Sequence, residues 1–64
     1  MNVTLILNPR SGKRKALSVL SVARGLAGEL GHRLTERVIE GPGHGTELAR
    51  AAVLEGAERV ICVG

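Results

Sequence analysis

The sequence predicts an α/β fold in which strands and helices alternate in the order βαβαβ. Three observations carry this. Val3-Thr4-Leu5-Ile6-Leu7 and Arg59-Val60-Ile61-Cys62-Val63 are short, β-rich apolar runs, and unbroken apolarity is the pattern of strands buried on both faces of a parallel sheet. Two stretches between them repeat apolar residues at three- and four-residue steps, the period of an amphipathic helix. Glycine and proline punctuate the joins.

The first strand, Val3–Leu7, stops at Asn8-Pro9. Asn8 to Gly12 reads as a loop, because proline fixes one φ angle and serine and glycine suit turns and caps. A helix follows, with Leu17, Leu20, Ala23, Ala27 and Leu30 on one stripe. Gly25 and Gly28 weaken it by up to about 1 kcal/mol each, or mark close packing against the sheet. Gly31 suits the position just past the helix end. Arg33 to Ile39 reads as an edge strand: Leu34, Val38 and Ile39 are strand-like, while Glu36 and Arg37 interrupt both faces. Gly41-Pro42 suits the cap and first position of a second helix, which carries Leu48, Ala51 and Ala52 and stops at Gly56. The last strand then ends at Gly64.

Helices between strands imply parallel pairing through right-handed crossovers, as in a doubly wound, Rossmann-like sheet of three layers. In such sheets ligands sit at the carboxyl ends of the strands. Those ends are Asn8–Gly12, the loop near Ile39–Gly43, and Gly64. Two helices and three strands hardly close such a structure, so residues 1–64 are expected to be the amino-terminal part of a larger domain. Composition agrees. A chain of 64 residues buries only about 60% of its unfolded surface, and a core of that size supplies about 3–5 kcal/mol unless stapled. Cys62 is the only cysteine, which excludes an internal disulfide, and two histidines without further ligands make no metal cage. No aromatic residue adds core volume. The incomplete sheet leaves strand edges exposed, so self-association is expected.

The formal charge is +3 and the pI about 10. Arg10, Lys13, Arg14 and Lys15 fall within six positions. Such a cluster meets nucleotide phosphate, nucleic acid or anionic lipid, or is a solvated helix end. No apolar stretch approaches the roughly 20 residues that span a bilayer, and Val3–Leu7 is too short for a signal peptide. The cytoplasm is the default, and one free thiol is compatible with it.

Chemistry concentrates in Asn8-Pro9-Arg10-Ser11-Gly12-Lys13, between a strand and a helix amino terminus. Free N–H groups and the helix dipole attract phosphate there. Gly12 lets the backbone approach a ligand, Ser11 offers a hydroxyl and Lys13 a mobile charge; the plain alternative is a turn with Ser11 capping the helix. A Walker A loop is excluded, because Gly12-Lys13 is followed by Arg14 and the earlier glycine position holds Leu7. The dinucleotide pattern Gly-x-Gly-x-x-Gly is missing after the first strand. Gly41-Pro42-Gly43-His44-Gly45 matches it only superficially.

Asn8-Pro9-Arg10-Ser11-Gly12 resembles the Asn-Pro-x-Ser-Gly motif that opens the catalytic domain of diacylglycerol kinase-like lipid kinases, a family that includes sphingosine and ceramide kinases. Gly43-His44-Gly45-Thr46-Glu47-Leu48-Ala49 resembles the family's Gly-His-Ala-x-x-Leu-Ala helix opening. Val60-Ile61-Cys62-Val63-Gly64 resembles the strand running into its Gly-Gly-Asp-Gly-Thr motif, of which Gly64 alone is present. The resemblance implies magnesium- and ATP-dependent transfer of the γ-phosphoryl group to a lipid hydroxyl such as that of diacylglycerol, a step of phospholipid metabolism at a membrane surface. It implies that Asn8, Pro9, Arg10, Ser11 and Gly12 form one nucleotide loop and that Gly64 begins a second. Lys13 joins them on its charge and position. A nucleotide-contacting threonine is common after the family's second strand, and Ile39 stands there instead. The acidic catalytic residue, metal ligands and lipid pocket would lie beyond position 64, so no general base is assigned and the chain alone is expected to be inactive.

Plainer readings hold for the remaining residues. Glu36, Glu40, Glu47, Glu55 and Glu58 read as surface charges, His44 as a cap-region residue and His32 as solvent-facing. Cys62, Leu17, Leu20, Leu30 and Leu48 read as core. An NAD kinase relative shares the Gly-Gly-Asp-Gly motif but generally lacks the Asn-Pro-x-Ser-Gly opening. A basic module binding nucleic acid or anionic membrane through Arg10–Lys15 is the non-enzymatic rival; the lack of aromatic stacking residues counts against single-stranded nucleic acid.

Overall fold

A computed structural model describes residues 1–63, without the side chains of Ser11 and Lys13. Strand β1 (Asn2–Leu7) leads through a single 3-10 turn (Pro9–Ser11) into helix α1 (Lys13–Leu30). Strand β2 (Arg33–Val38), helix α2 (His44–Leu54) and strand β3 (Arg59–Val63) follow. The sheet order is β2-β1-β3, all parallel. Leu5 lies opposite Glu36 on one side and Ile61 on the other.

The apolarity of β1 has its expected cause. Side chains alternate across a strand, and Leu5 and Leu7 form a buried cluster with Leu20 of α1, onto which Ala16, Ala23, Leu34 and Val63 pack. Thr4 and Ile6 face the other way and are also buried, under α2, whose Ala52 is buried in turn. The chain moves from β1 to β2 in one direction and returns across β1 to reach β3. Two right-handed crossovers made in opposite directions place their helices on opposite faces. The result is the three-layer, Rossmann-like α/β arrangement that the sequence predicts. Burial of one large aliphatic side chain is worth about 1.5–3 kcal/mol, and Leu5, Ile6 and Leu7 are each at least 94% buried by their exposures of 2%, 0% and 6%.

Several boundaries and burials differ from expectation. Leu17 and Leu30 are exposed rather than core, as are Val22 and Leu26. An 18-residue helix runs about 27 Å, and its apolar stripe is longer and wider than three short strands can cover. Strand β3 is an edge, so its unbroken apolar run is not buried on both faces; Ile61 and Cys62 are exposed. The second helix is capped by Gly43, not Gly41. Gly43 has φ 77°, a left-handed conformation open to glycine at little cost, so the turn runs on past Pro42. Gly31, with φ 72°, does close α1. The space around Gly25 and Gly28 is open, with nothing within 4 Å of a Cβ built on either, so close packing does not explain them.

Glu36 has a partner. Arg24 of α1 donates Nε–H and Nη2–H to its two carboxylate oxygens at 2.5 and 2.6 Å. This tie explains how a charge sits in mid-strand on the face under α1. The Arg24 hydrogen bonds hold the Glu36 carboxyl below its ordinary value.

Two tests follow from these environments. Gly25→Ala and Gly28→Ala should each raise stability by about 0.5–1 kcal/mol, read as the urea midpoint; a loss at either position would show a packing role. Because the folded Glu36 pKa is depressed, its contribution is present above the unfolded value and is lost as pH falls through the folded one. The difference in thermal midpoint between wild type and Glu36→Gln should therefore be full at neutral pH and close below about pH 4. A difference that persists in acid would remove the ion pair as its source.

Candidate functional site

The carboxyl ends of β1 and β2 part to form the site. At the end of β1, the Asn8 N–H donates to the carbonyl of Val63 at 2.9 Å, which anchors the residue to the end of β3. Its side chain turns inward, and Oδ1 accepts the N–H of Arg10 at 3.1 Å. Pro9 occupies the first turn position, where its fixed φ is suited and its missing N–H is no loss. Asparagine and proline together thus shape the 3-10 turn. Gly12, which has no side chain of its own to cap the helix, then opens α1 with φ 116° and ψ 102°. The first N–H groups of an α-helix have no partner within it, so a helix end of this kind suits an anion. The cap position is Gly12; whether the Ser11 hydroxyl also caps the helix lies outside the described residues.

The facing wall is built on the end of β2. The Ile39 N–H donates to the Leu7 carbonyl at 2.8 Å, one bond beyond the strand. The Glu40 N–H then donates to Nδ1 of His44 at 2.9 Å, and the His44 N–H returns to the Gly41 carbonyl at 3.2 Å. Gly45, in the first turn of α2, allows Ile39 close: a Cβ there would lie 3.1 Å from Ile39 Cδ1.

Between these walls lies an open cleft of about 480 Å³. Asn8, Pro9 and Arg10 line one side, and Ile39 to Gly43 with Gly45 and Thr46 line the other. Two of the three expected strand ends therefore meet. Gly12 lies outside this cleft, at the amino end of α1. Gly64 and the side chains of Ser11 and Lys13 are outside the described residues. Arg10, Arg14 and Lys15 are exposed, so the basic cluster surrounds the opening of α1. Thr46 and the loop role of His44 escaped the sequence reading. Thr46 sits in the Gly43–Ala49 stretch singled out above, and its place in the first turn of a helix facing the Asn8 loop was the available signal.

The profile of the diacylglycerol kinase catalytic domain matches residues 2–64. The chain belongs to this family. No curated protein and no solved structure matches it. Membership of this family places it among lipid kinases, and its paired strand ends fall in the segment that the profile covers.

The contact of Ile39 with Gly45 can be measured as a coupling. Gly45→Ala should be more favourable in an Ile39→Val background than in wild type, by about 0.5 kcal/mol or more, because the shorter side chain makes room for the new methyl group. Equal effects in both backgrounds would show that the two positions do not touch.

Proposed function

We propose that residues 1–64 form the ATP-binding, amino-terminal part of a catalytic domain that phosphorylates a lipid hydroxyl, with diacylglycerol as the substrate class. The observation that carries this reading is the amino end of α1 at Gly12, a residue with no side chain of its own to cap it, beside a cleft between two strand ends in a lipid kinase family. Open N–H groups and a helix dipole suit phosphate. Arg10 adds a mobile cation at the cleft, and Lys13 is proposed to add a second. Asn8 and Pro9 shape the turn, Ser11 and Gly12 complete the loop, and Gly64 would begin the second loop.

The reaction transfers the γ-phosphoryl group. The lipid hydroxyl oxygen attacks the γ-phosphorus, the bond to the β,γ-bridging oxygen breaks, ADP leaves, and the hydroxyl proton is released. Positioning and charge stabilisation supply most of the catalysis in such transfers. This chain's residues would contribute the positioning of the phosphates. Magnesium would supply charge neutralisation at the phosphates when bound, but among the described residues no group of three or more His, Cys, Asp or Glu side chains could hold a metal ion. No residue here receives that role, nor that of general base: Nδ1 of His44 is already bonded, and Glu40 is an exposed carboxylate. The 64-residue chain alone is therefore proposed to be inactive. Among the described residues no helix is long and apolar enough to cross a membrane, and the proposed place of action is the cytoplasmic surface of one.

Titrating ATP into the isotope-labelled chain should move the backbone amide signals of Arg10, Gly12 and Thr46 together, with weak, saturable binding. Arg10→Ala should weaken it by roughly three- to tenfold, the value of one charge-assisted contact. Signals that move only elsewhere, or not at all, would overturn the reading. Phosphoryl transfer by the chain alone would overturn the assignment of catalysis to other parts.

A further inference from the structure

We propose that His44 is a positioning residue of the cleft, holding its second wall in place by accepting a backbone hydrogen bond. For the ligand this rests on the ATP reading above; for the wall it does not. Strand β2 ends at Val38, and Ile39 makes the last ladder-like bond, to Leu7. The next amide, that of Glu40, lies beyond the strand and makes no bond to a strand carbonyl among the described residues. His44, four residues on, supplies its acceptor through Nδ1 at 2.9 Å. The same residue's own N–H closes on the Gly41 carbonyl at 3.2 Å. One residue thus clamps Glu40–Gly43 from both its backbone and its ring, and every residue of that segment lines the cleft.

The contact fixes the chemistry of the ring. Nδ1 accepts, so the ring proton sits on Nε2, and only the neutral imidazole can hold the wall. It also explains why a half-buried histidine stands at the first position of α2, where its side chain caps no helical N–H but reaches back to the loop. Two glycines, Gly41 and Gly43, make the enclosed turn otherwise pliable. A pliable wall facing the Asn8–Arg10 turn would leave the cleft without a fixed width.

Amide hydrogen exchange on the full 64-residue chain tests this directly. In His44→Ala the Glu40 amide should exchange at least about fivefold faster, the worth of one net hydrogen bond, while the Ile39 amide, bonded to Leu7, is unchanged. His44→Asn, whose Oδ1 reaches the position of Nδ1, should restore slow exchange at Glu40. ATP affinity should follow the same order, falling about fivefold in the alanine variant and recovering in the asparagine one. Unchanged Glu40 exchange in His44→Ala overturns the proposal. So does altered exchange with ATP affinity untouched, since the bond would then be structural only. If Glu40 responds as expected but even wild type binds no ATP, the nucleotide reading fails and the clamp stands. Should His44→Ala unfold, His44→Asn against His44→Gln gives the same comparison, because the longer amide overshoots the Glu40 N–H.

Discussion

A strand with parallel neighbours on both edges and helices on both faces has no polar surface left to show, and β1 occupies that position. Leu5, Ile6 and Leu7 are buried consecutively, two toward α1 and one toward α2. Everything else in the chain is placed relative to this strand. Its edges receive β2 and β3, its faces receive the helices, and its last residue, Leu7, accepts the Ile39 N–H that sets the height of the opposite wall. Thr4, the one buried polar residue of the strand, marks where this apolar core gives way toward the amino end.

The cleft follows from the same constraint. Because β1 exits toward α1 and β2 exits toward α2, the two outgoing loops diverge to opposite faces and leave a gap at the carboxyl ends of the strands. The loop from β1 is short and stiff, closed by Asn8 onto Arg10 and by Pro9. The loop from β2 is longer and rich in glycine, and it depends on His44 for closure. One wall is thus set by proline and an asparagine side chain, the other by an imidazole, with Arg10 at the mouth.

How much of this was legible depended on whether the deciding force was local. The central strand could be read because three consecutive apolar side chains need cover on both faces wherever the strand lies. The same pattern in Val60–Val63 misled, because an edge position is a property of the whole sheet and leaves no mark on the strand itself. Leu17 and Leu30 misled for a related reason: helical spacing shows which way a stripe faces, not how much sheet lies beneath it. Gly43 outcompeted Gly41-Pro42 as the helix cap through a φ angle that composition alone does not order. In the site, Asn8, Pro9 and Arg10 were legible as a contiguous motif. Thr46 and His44 were not, since more than thirty residues separate them from Asn8 and only the crossover through α1 and β2 brings the two loops together.

The contact between Ile39 and Gly45 bears on two departures from the family's pattern. The resemblance set a threonine against Ile39 and an alanine against Gly45, and taken separately each weakens the match. In the fold they meet: a Cβ at position 45 would stand 3.1 Å from Ile39 Cδ1, closer than most real contacts of that kind. Ile39 occupies the room that Gly45 leaves and gives the wall an apolar surface there. The hydroxyl absent at 39 has a counterpart on the same wall, where Thr46 lines the cleft one residue beyond Gly45. Ile39 and Gly45 thus share one volume in this chain, beside a cleft whose lining includes the hydroxyl residue Thr46.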